Sequence, residues 1–323
     1  MYIITGAAGF IPSCLVQYLN NQGITDLILV DDFQNYEDKT PNYAEKQYSM
    51  LVERNEFIAR WDKGDFSITG IFHLGARTDT SEKDWSIFQE LNLDYSQAIF
   101  TRCADQGIPL VYASSAATYG NGELGYQDRH DIVDQLKPLN PYGRSKNDFD
   151  KWALKQEKTP PSWYGLKFFN VYGPNEFHKG RMASVIFHTY RQLKATGKMK
   201  LFRSHRPDVE NGHQSRDFVY VKDLCRVMHW LMNEQPSDHG LYNMGTGQAR
   251  TFLDLATLTF KSAGITPDIS FMDTPEDIRD TYQYFTEADM SRLRNAGYTA
   301  PFSTLEEGID DYVKNYLIPG EYF

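Results

Sequence analysis

The sequence predicts an α/β fold: a doubly wound parallel sheet with helices on both faces, joined to a smaller mixed α/β region. Three observations predict it. Short apolar runs alternate with helical stretches through the first half of the chain. The first run breaks into Gly6-Ala7-Ala8-Gly9 and then a helical stripe. The second ends in two acids, Asp31 and Asp32.

Each element follows in order. Tyr2–Thr5 is a short apolar run before glycine, hence a buried strand. Phe10, Leu15, Val16 and Leu19 recur at helical spacing, and Gly23 stops that helix. Asp26–Asp32 is the second strand and Gly70–Ala76 another, ending at small residues. A helix is expected from about Trp85 to Gln106, then a strand over Ile108–Ser115. Tyr164–Pro174 reads as one more strand and its exit loop. This alternation is that of a Rossmann-like sheet, whose sites lie beyond the carboxyl ends of the strands.

Beyond residue 170 the character changes. Gly180–Gly197 reads as a helix, and Lys200–Leu224 as a polar loop between two apolar strands. More helices follow Gly240–Gly247 and end near Leu317. The expected division is a dinucleotide-binding domain over 1–170, with crossing segments from about 215–250. A mostly substrate-binding region covers about 171–323, and the boundary is porous.

Composition narrows the function. Of 323 residues 41% are apolar, enough for a substantial core, and the net charge of −10 disfavours broad binding to nucleic acid or anionic membranes. No apolar run approaches the roughly 20 residues of a membrane helix. No secretory leader is expected. Cys14, Cys103 and Cys225 are odd in number and far apart, which suits a reducing cytosol and offers no disulfide framework. No metal site is expected.

The chemistry begins at the glycine turn. Small residues between a strand and a helix let the backbone approach a pyrophosphate, and the helix start offers free N–H groups. A G-x-x-G turn alone serves packing equally well. The context decides: Asp31 lies 22 residues after Gly9, where a carboxylate can accept hydrogen bonds from ribose hydroxyls. A nicotinamide dinucleotide is therefore expected. Asp31 and Asp32 would repel a 2′-phosphate, while Lys39 and Lys46 could reach one, so NAD and NADP both stay open. Pro12 stands where such turns often carry a third glycine; it should fall in the first helical turn, where proline is tolerated.

A second constellation is "NPYGRSK". Tyr142 and Lys146 are four apart, hence on one helical face, and an ammonium beside a phenol lowers its pKa toward neutral acid/base use. Upstream, "YASSAATYG" ends a strand and offers Ser115, with Ser114 and Thr118 as rival hydroxyls.

Serine, tyrosine and lysine in this order after a dinucleotide turn resemble the extended short-chain dehydrogenase/reductase family, over essentially the whole chain. The resemblance implies that Ser115 and Tyr142 share the reacting hydroxyl's proton, and that Lys146 also binds the nicotinamide ribose. Ala116-Ala117 stand where the dehydratases of that family carry an acidic pair, so elimination is not expected. The segments "FFNVYGPNEFHKGRMASVIFH", "SRDFVYVKD", "YNMGTG" and "YQYFTEADMSRLRNAGY" resemble those of its sugar-nucleotide epimerases that act on an ADP-heptose.

That likeness implies epimerisation at C6″ of ADP-D-glycero-β-D-manno-heptose through a transient ketone, with Lys179 as a second acid/base. It implies one tightly bound NADP or NAD per subunit, contacted by Gly6, Gly9, Phe10, Ile11, Asp31, Asp32, Lys39, Leu74, Gly75, Ala76, Asn92, Tyr142, Lys146 and Val171. For the substrate it implies Ser115, Asn170, Arg181, His188, Phe202, Arg216 and Tyr282. Arg181 departs from the family, which usually has serine there. A pairing of Arg216 with Asp217 is the plain alternative to a diphosphate contact. The implied setting is a cytoplasmic isomerase of lipopolysaccharide-precursor metabolism, and a homo-oligomer, without nucleic-acid or membrane partners. Alternatives are a 4-epimerase on another nucleotide sugar, for which Lys179 is dispensable, and a noncatalytic dinucleotide-sensing scaffold.

Overall fold

The computed structural model describes residues 1–279 and 282–323. Strands β1 (Tyr2–Thr5), β2 (Leu27–Asp31), β3 (Met50–Glu53), β4 (Gly70–His73), β5 (Leu110–Ser115) and β6 (Trp163–Phe168) belong to one sheet. A short β7 (Asn170–Tyr172), β8 (Met199–Phe202) and β9 (Ser215–Tyr220) leave it, and β10 (Gly240–Met244) returns. The order is β10-β6-β5-β4-β1-β2-β3, every pair parallel. The strand order reverses beside β1, which leaves a crevice at the carboxyl ends of β1 and β4.

Alternation along the strands builds two cores. Ile4, Leu29, Phe72, Val111 and Leu166 face one side; Ile3, Ile28, Val30, Ile71 and Tyr112 face the other. Helix α1 (Phe10–Asn21) covers the first side with Leu15, Val16 and Leu19. On the second side lie α2 (Arg54–Asp62), with Phe57 and Trp61, and a long helix of three parts. Its parts are α3 (Trp85–Phe88), a π-helical turn (Gln89–Asp94) and α4 (Tyr95–Gln106). Helix α5 (Pro141–Leu154) adds Phe149 and Ala153 to that core. Each such fully buried side chain contributes roughly 1.5–3 kcal/mol.

The rest of the chain is α6 (Val185–Thr196), α7 (Val221–Glu234), β11 (Ala249–Thr251), α8 (Phe252–Ser262), β12 (Ile269–Met272), α9 (Glu276–Arg279), α10 (Ser291–Asn295) and α11 (Leu305–Tyr312). Strands β11-β9-β7 form a second sheet and β12-β8 a third. A separate apolar cluster of Leu193, Met199, Leu201, Ala256 and Phe260 holds α6 and α8 on β8. Helix α7 packs beside α1 on the first face of the main sheet, so the two halves of the chain share one core.

Three elements differ from expectation. Tyr164–Pro174 holds two strands in different sheets, because β7 pairs with β9 and not with the main sheet. The helix expected over Gly180–Gly197 starts at Val185: Ser184 caps it, and residues 177–182 form 3₁₀ turns that bend at Gly180. Strand β3 and helix α2 had no prior sign in the apolar pattern; α2 buries only Phe57 and Trp61.

Candidate active site

The glycine turn is built by close approach. Gly6 has φ +70°, and a Cβ there would lie 2.5 Å from Gly75 Cα, so only glycine lets the β1 and β4 exits touch. Gly9 caps α1, and the first-turn amides of Phe10 and Ile11 have no acceptor within the helix. Pro12 falls in this same turn, so no helical hydrogen bond is lost to it. Asp31 ties the turn to β2: its Oδ2 accepts from Ala8 N–H (2.9 Å) and its Oδ1 from Asp32 N–H (2.8 Å). Beside it Asp32 pairs with Arg54 at 3.3 Å, and the Lys39 ammonium sits 3.9 Å over the Tyr36 ring.

A buried relay braces the opposite wall. Gly75 N–H donates to Thr5 Oγ1 (3.1 Å), and Thr5 Oγ1 lies 2.7 Å from His73 Nδ1. His73 Nε2 lies 2.9 Å from Ser96 Oγ, which donates to Asn92 C=O at 2.5 Å. Directions follow from the ends inward: Thr5 donates to Nδ1, and Nε2–H donates to Ser96. Burial, and the Lys146 charge after it, push the His73 pKa down to about 3, so the ring is neutral. Asn92 sits in the π-helical turn. Its Oδ1 accepts from Arg77 N–H (2.8 Å), and its Nδ2 donates to Arg77 C=O (3.0 Å) and Ser145 Oγ (2.9 Å). This side chain thus joins the loop after β4, which carries Leu74–Ala76, to helix α5.

Helix α5 starts where "NPYG" directs it. Asn140 caps it by accepting from Gly143 N–H (2.8 Å), and Pro141 is its first residue. A Cβ at Gly143 would meet Ala117 C=O at 2.8 Å, so glycine brings α5 against the turn after β5. Tyr142 is then half-buried and turned toward Ser115, whose Oγ accepts from Ala117 N–H at 3.1 Å. Its phenol lies above the usual range, not below it as the spacing suggested. Burial dominates, the neighbouring Ser115 hydroxyl opposes it, and Asp150 adds to the rise. The Lys146 ammonium donates to Ala113 C=O at 2.7 Å, and burial pushes its pKa down to about 8.

The rival hydroxyls have other work. Ser114 donates to Asp150 Oδ2 (2.7 Å), and Thr118 donates to Ser115 C=O (2.8 Å) while accepting from Lys167 Nζ (2.8 Å). Ser115 alone of the three faces Tyr142.

The segment 177–182 reaches back to the glycine turn. The Lys179 ammonium lies 5.6 Å from the Phe10 ring, and desolvation holds it below the ordinary lysine value. Asn42 Nδ2 donates to Ala8 C=O (2.8 Å) and lies 3.2 Å from His178 Nδ1. Arg181 is exposed and pairs with Asp79 at 3.0 Å, tying this segment to the loop after β4. His188 Nε2 is 3.4 Å from Arg181 C=O.

Arg216 lies between the rings of Phe252 and Tyr282, 5.4 Å from each, and donates to Ser215 C=O (2.8 Å) and to Gln283 C=O. Phe202 packs edge-on to Tyr282. The Arg216–Asp217 pair does not form. Successive residues of β9 face opposite ways, and Asp217 accepts from Thr246 N–H and Oγ1–H (both 2.7 Å), Gly247 N–H (2.9 Å) and Ala288 N–H (3.0 Å). Asn170 is exposed in β7 with Val171 half-buried beside it. Among the described residues no His, Cys, Asp and Glu group could hold a metal ion, and no helix is long and apolar enough to cross a membrane.

A glycine cradle at a helix start, a carboxylate at the next strand end, and a serine at the end of β5 followed by Tyr142 and Lys146 on α5 fit a nicotinamide dinucleotide. The sequence profile of the NAD dependent epimerase/dehydratase family matches residues 2–245. The chain belongs to the NAD dependent epimerase/dehydratase family.

Membership in that family makes the chain an enzyme with a nicotinamide dinucleotide, and its similarity to named epimerases makes it an isomerase. It is 45% identical to the ADP-L-glycero-D-manno-heptose-6-epimerase of Fusobacterium nucleatum, with 98% of each chain covered. It is also 45% identical to the enzyme of that name from Nitratidesulfovibrio vulgaris, with 100% of each covered. Among solved structures it resembles the Helicobacter pylori ADP-L-glycero-D-manno-heptose-6-epimerase, with TM-score 0.80, 25% identity, and 97% of this chain and 95% of that one covered. A UDP-N-acetylglucosamine 4-epimerase from Methanobrevibacter ruminantium shares the fold at TM-score 0.80 and 20% identity, with 98% of each chain covered.

Sequence reasoning missed the residues that hold this family's site together here. Asp150 and Lys167 are fully buried and 2.7 Å apart, and Glu176 is fully buried. Asp150 had a signal, since Tyr142, Lys146 and Asp150 repeat every four residues on one helical face. Lys167 and Glu176 had none, because only the tertiary fold says that a charge is enclosed.

Proposed function

We propose that the chain epimerises C6″ of ADP-D-glycero-β-D-manno-heptose to give the L-glycero isomer. The observation that carries this reading is the 45% identity to 6-epimerases of that name across both full lengths. The chemistry needs two proton-handling groups. When bound, the nicotinamide supplies the acceptor and donor for the C6″ hydride. Tyr142 Oη, turned toward Ser115, handles the hydroxyl proton on one face of the reacting carbon, taking it as phenolate and returning it as phenol. The ketone then presents its other face, its oxygen moves, and Lys179 Nζ serves the opposite configuration. A desolvated ammonium with a lowered pKa suits that exchange.

Lys146 orients the ribose side of the site, and Arg216 with Tyr282 and Phe202 receives the ADP part, where a planar guanidinium matches a diphosphate. Both NAD and NADP fit this reading. Arg54 neutralises Asp32, so a 2′-phosphate is not simply repelled. An enzyme of nucleotide-sugar metabolism is expected in the cytoplasm.

The test is direct. The purified protein is incubated with ADP-D-glycero-β-D-manno-heptose and the C6″ configuration is followed by NMR. Conversion that is strongly impaired by Lys179→Met supports the reading. No conversion, with cofactor retained, overturns it; conversion indifferent to Lys179→Met points instead to a one-tyrosine epimerase.

A further inference from the structure

The segment that carries Lys179 has no buried side chain of its own between Phe177 and Met182. It bends sharply at Gly180 and reaches solvent there. Something outside it must fix where Lys179 stands.

Asn42 and Asp79 hold the segment at His178 and Arg181, and one carboxylate closes its two ends. Glu176 is fully buried immediately before the segment. Its backbone C=O accepts from Lys179 N–H at 3.0 Å, closing the first turn. Its side chain reaches past the segment to the far end, where Oε2 accepts from Ser184 N–H (2.5 Å) and Oε1 from the Ser184 hydroxyl (2.5 Å). Oε1 also accepts from Tyr312 O–H at 2.8 Å, on the last residue of α11. Ser184 in turn accepts from Phe187 N–H at 3.2 Å and so starts α6. A single residue therefore closes both ends of the 177–183 loop on each other and bolts them to α11.

An enclosed carboxylate is costly unless hydrogen-bonded, and burial pushes the Glu176 pKa up, with Ser184, Tyr312 and the Lys179 charge opposing. Among the described residues it has no salt-bridge partner, and the Lys179 ammonium is a favourable charge upon it.

We infer that Glu176, locked by Ser184 and Tyr312, is the positioning residue for Lys179, setting the place of that ammonium without touching substrate. This rests on the reading of Lys179 as the second acid/base. The Tyr142 side of the site, held by α5 and β5, is independent of it.

The test separates the two sides. Holoenzyme is mixed with each C6″ epimer in turn, and the first oxidation is followed by nicotinamide absorbance. The variants are Lys179→Met, Glu176→Gln and Tyr312→Phe. Lys179→Met identifies the epimer whose oxidation depends on Lys179. Glu176→Gln slows that same epimer by roughly tenfold or more, about 1.4 kcal/mol in the barrier, and spares the other. Tyr312→Phe, which removes one hydrogen bond and keeps the carboxylate, shows the same asymmetry more weakly. Hydrogen exchange at the Lys179 and Ser184 amides speeds up in both variants. Equal slowing of both epimers by Glu176→Gln and Tyr312→Phe, or none, overturns the inference while Lys179→Met stays asymmetric. A symmetric Lys179→Met overturns the second-base reading and the inference with it.

Discussion

Asp150 and Lys167 form an enclosed ion pair, Oδ2 to Nζ 2.7 Å, one helical turn beyond Lys146. Asp150 also accepts from Ser114 (2.7 Å) and Tyr112 (3.1 Å), and Lys167 donates to Thr118. The pair thus joins α5, β5 and β6 at the strand end that carries Ser115. Removing either partner leaves a bare charge in the core. Lys167→Met is expected to cost roughly 3–5 kcal/mol in unfolding free energy, and Asp150→Asn a similar amount. Their combination should cost clearly less than the sum, and a denaturant double-mutant cycle measures the difference.

His73 gives a pH dependence with a fixed sign. Its ring is held neutral, with the pKa pushed down to about 3 from 6.5. Between those values the unfolded chain binds a proton that the folded chain refuses, so stability falls as pH drops through that window and is complete above it. The contribution at stake is roughly 3–5 kcal/mol. His73→Gln should flatten this part of the stability–pH curve while lowering stability at neutral pH. Nitrogen NMR of the wild type should show hydrogen on Nε2 only; hydrogen on Nδ1 would contradict the relay from Thr5 to Ser96.

The three hydroxyls at the end of β5 and in the turn after it should separate in kinetics. Ser115→Ala is expected to lower kcat by roughly 10²-fold or more at little cost in stability. Thr118→Val breaks the Lys167–Thr118–Ser115 chain and should lower Tm first. Ser114→Ala should resemble Thr118→Val. A Thr118→Val enzyme with intact Tm and an equally large loss of kcat would reverse the assignment.

At the glycine turn two substitutions should behave oppositely. Gly6→Ala places a Cβ 2.5 Å from Gly75 Cα at φ +70°, a strain of roughly 1–3 kcal/mol or more, and should sharply weaken cofactor retention. Pro12→Gly should leave cofactor affinity within about tenfold, about 1.4 kcal/mol, because Pro12 occupies a helix position with no hydrogen bond to lose. Calorimetric titration of cofactor-stripped protein checks both.

The sequence by itself determined the parallel sheet, the glycine turn with Asp31, and the Ser–Tyr–Lys spacing. Each is written locally, in strand alternation, in turn residues or in a four-residue helical repeat. Tyr2–Thr5 and Leu27–Asp31 emerge almost as read, since a strand buried on both faces leaves a continuous apolar run. Strand β3 and helix α2 were not legible, because Met50 and Leu51 lie exposed at the sheet edge and α2 offers only two buried side chains. Only the tertiary structure decided which polar groups are enclosed. Ser114 and Thr118 are spoken for, Asp217 turns from Arg216, His73 is neutral, and Glu176 closes the loop of Lys179. The physical reason is desolvation: a charge or hydroxyl acquires its role from the partners left to it once water is gone, and those partners come from strands and helices far apart in the chain.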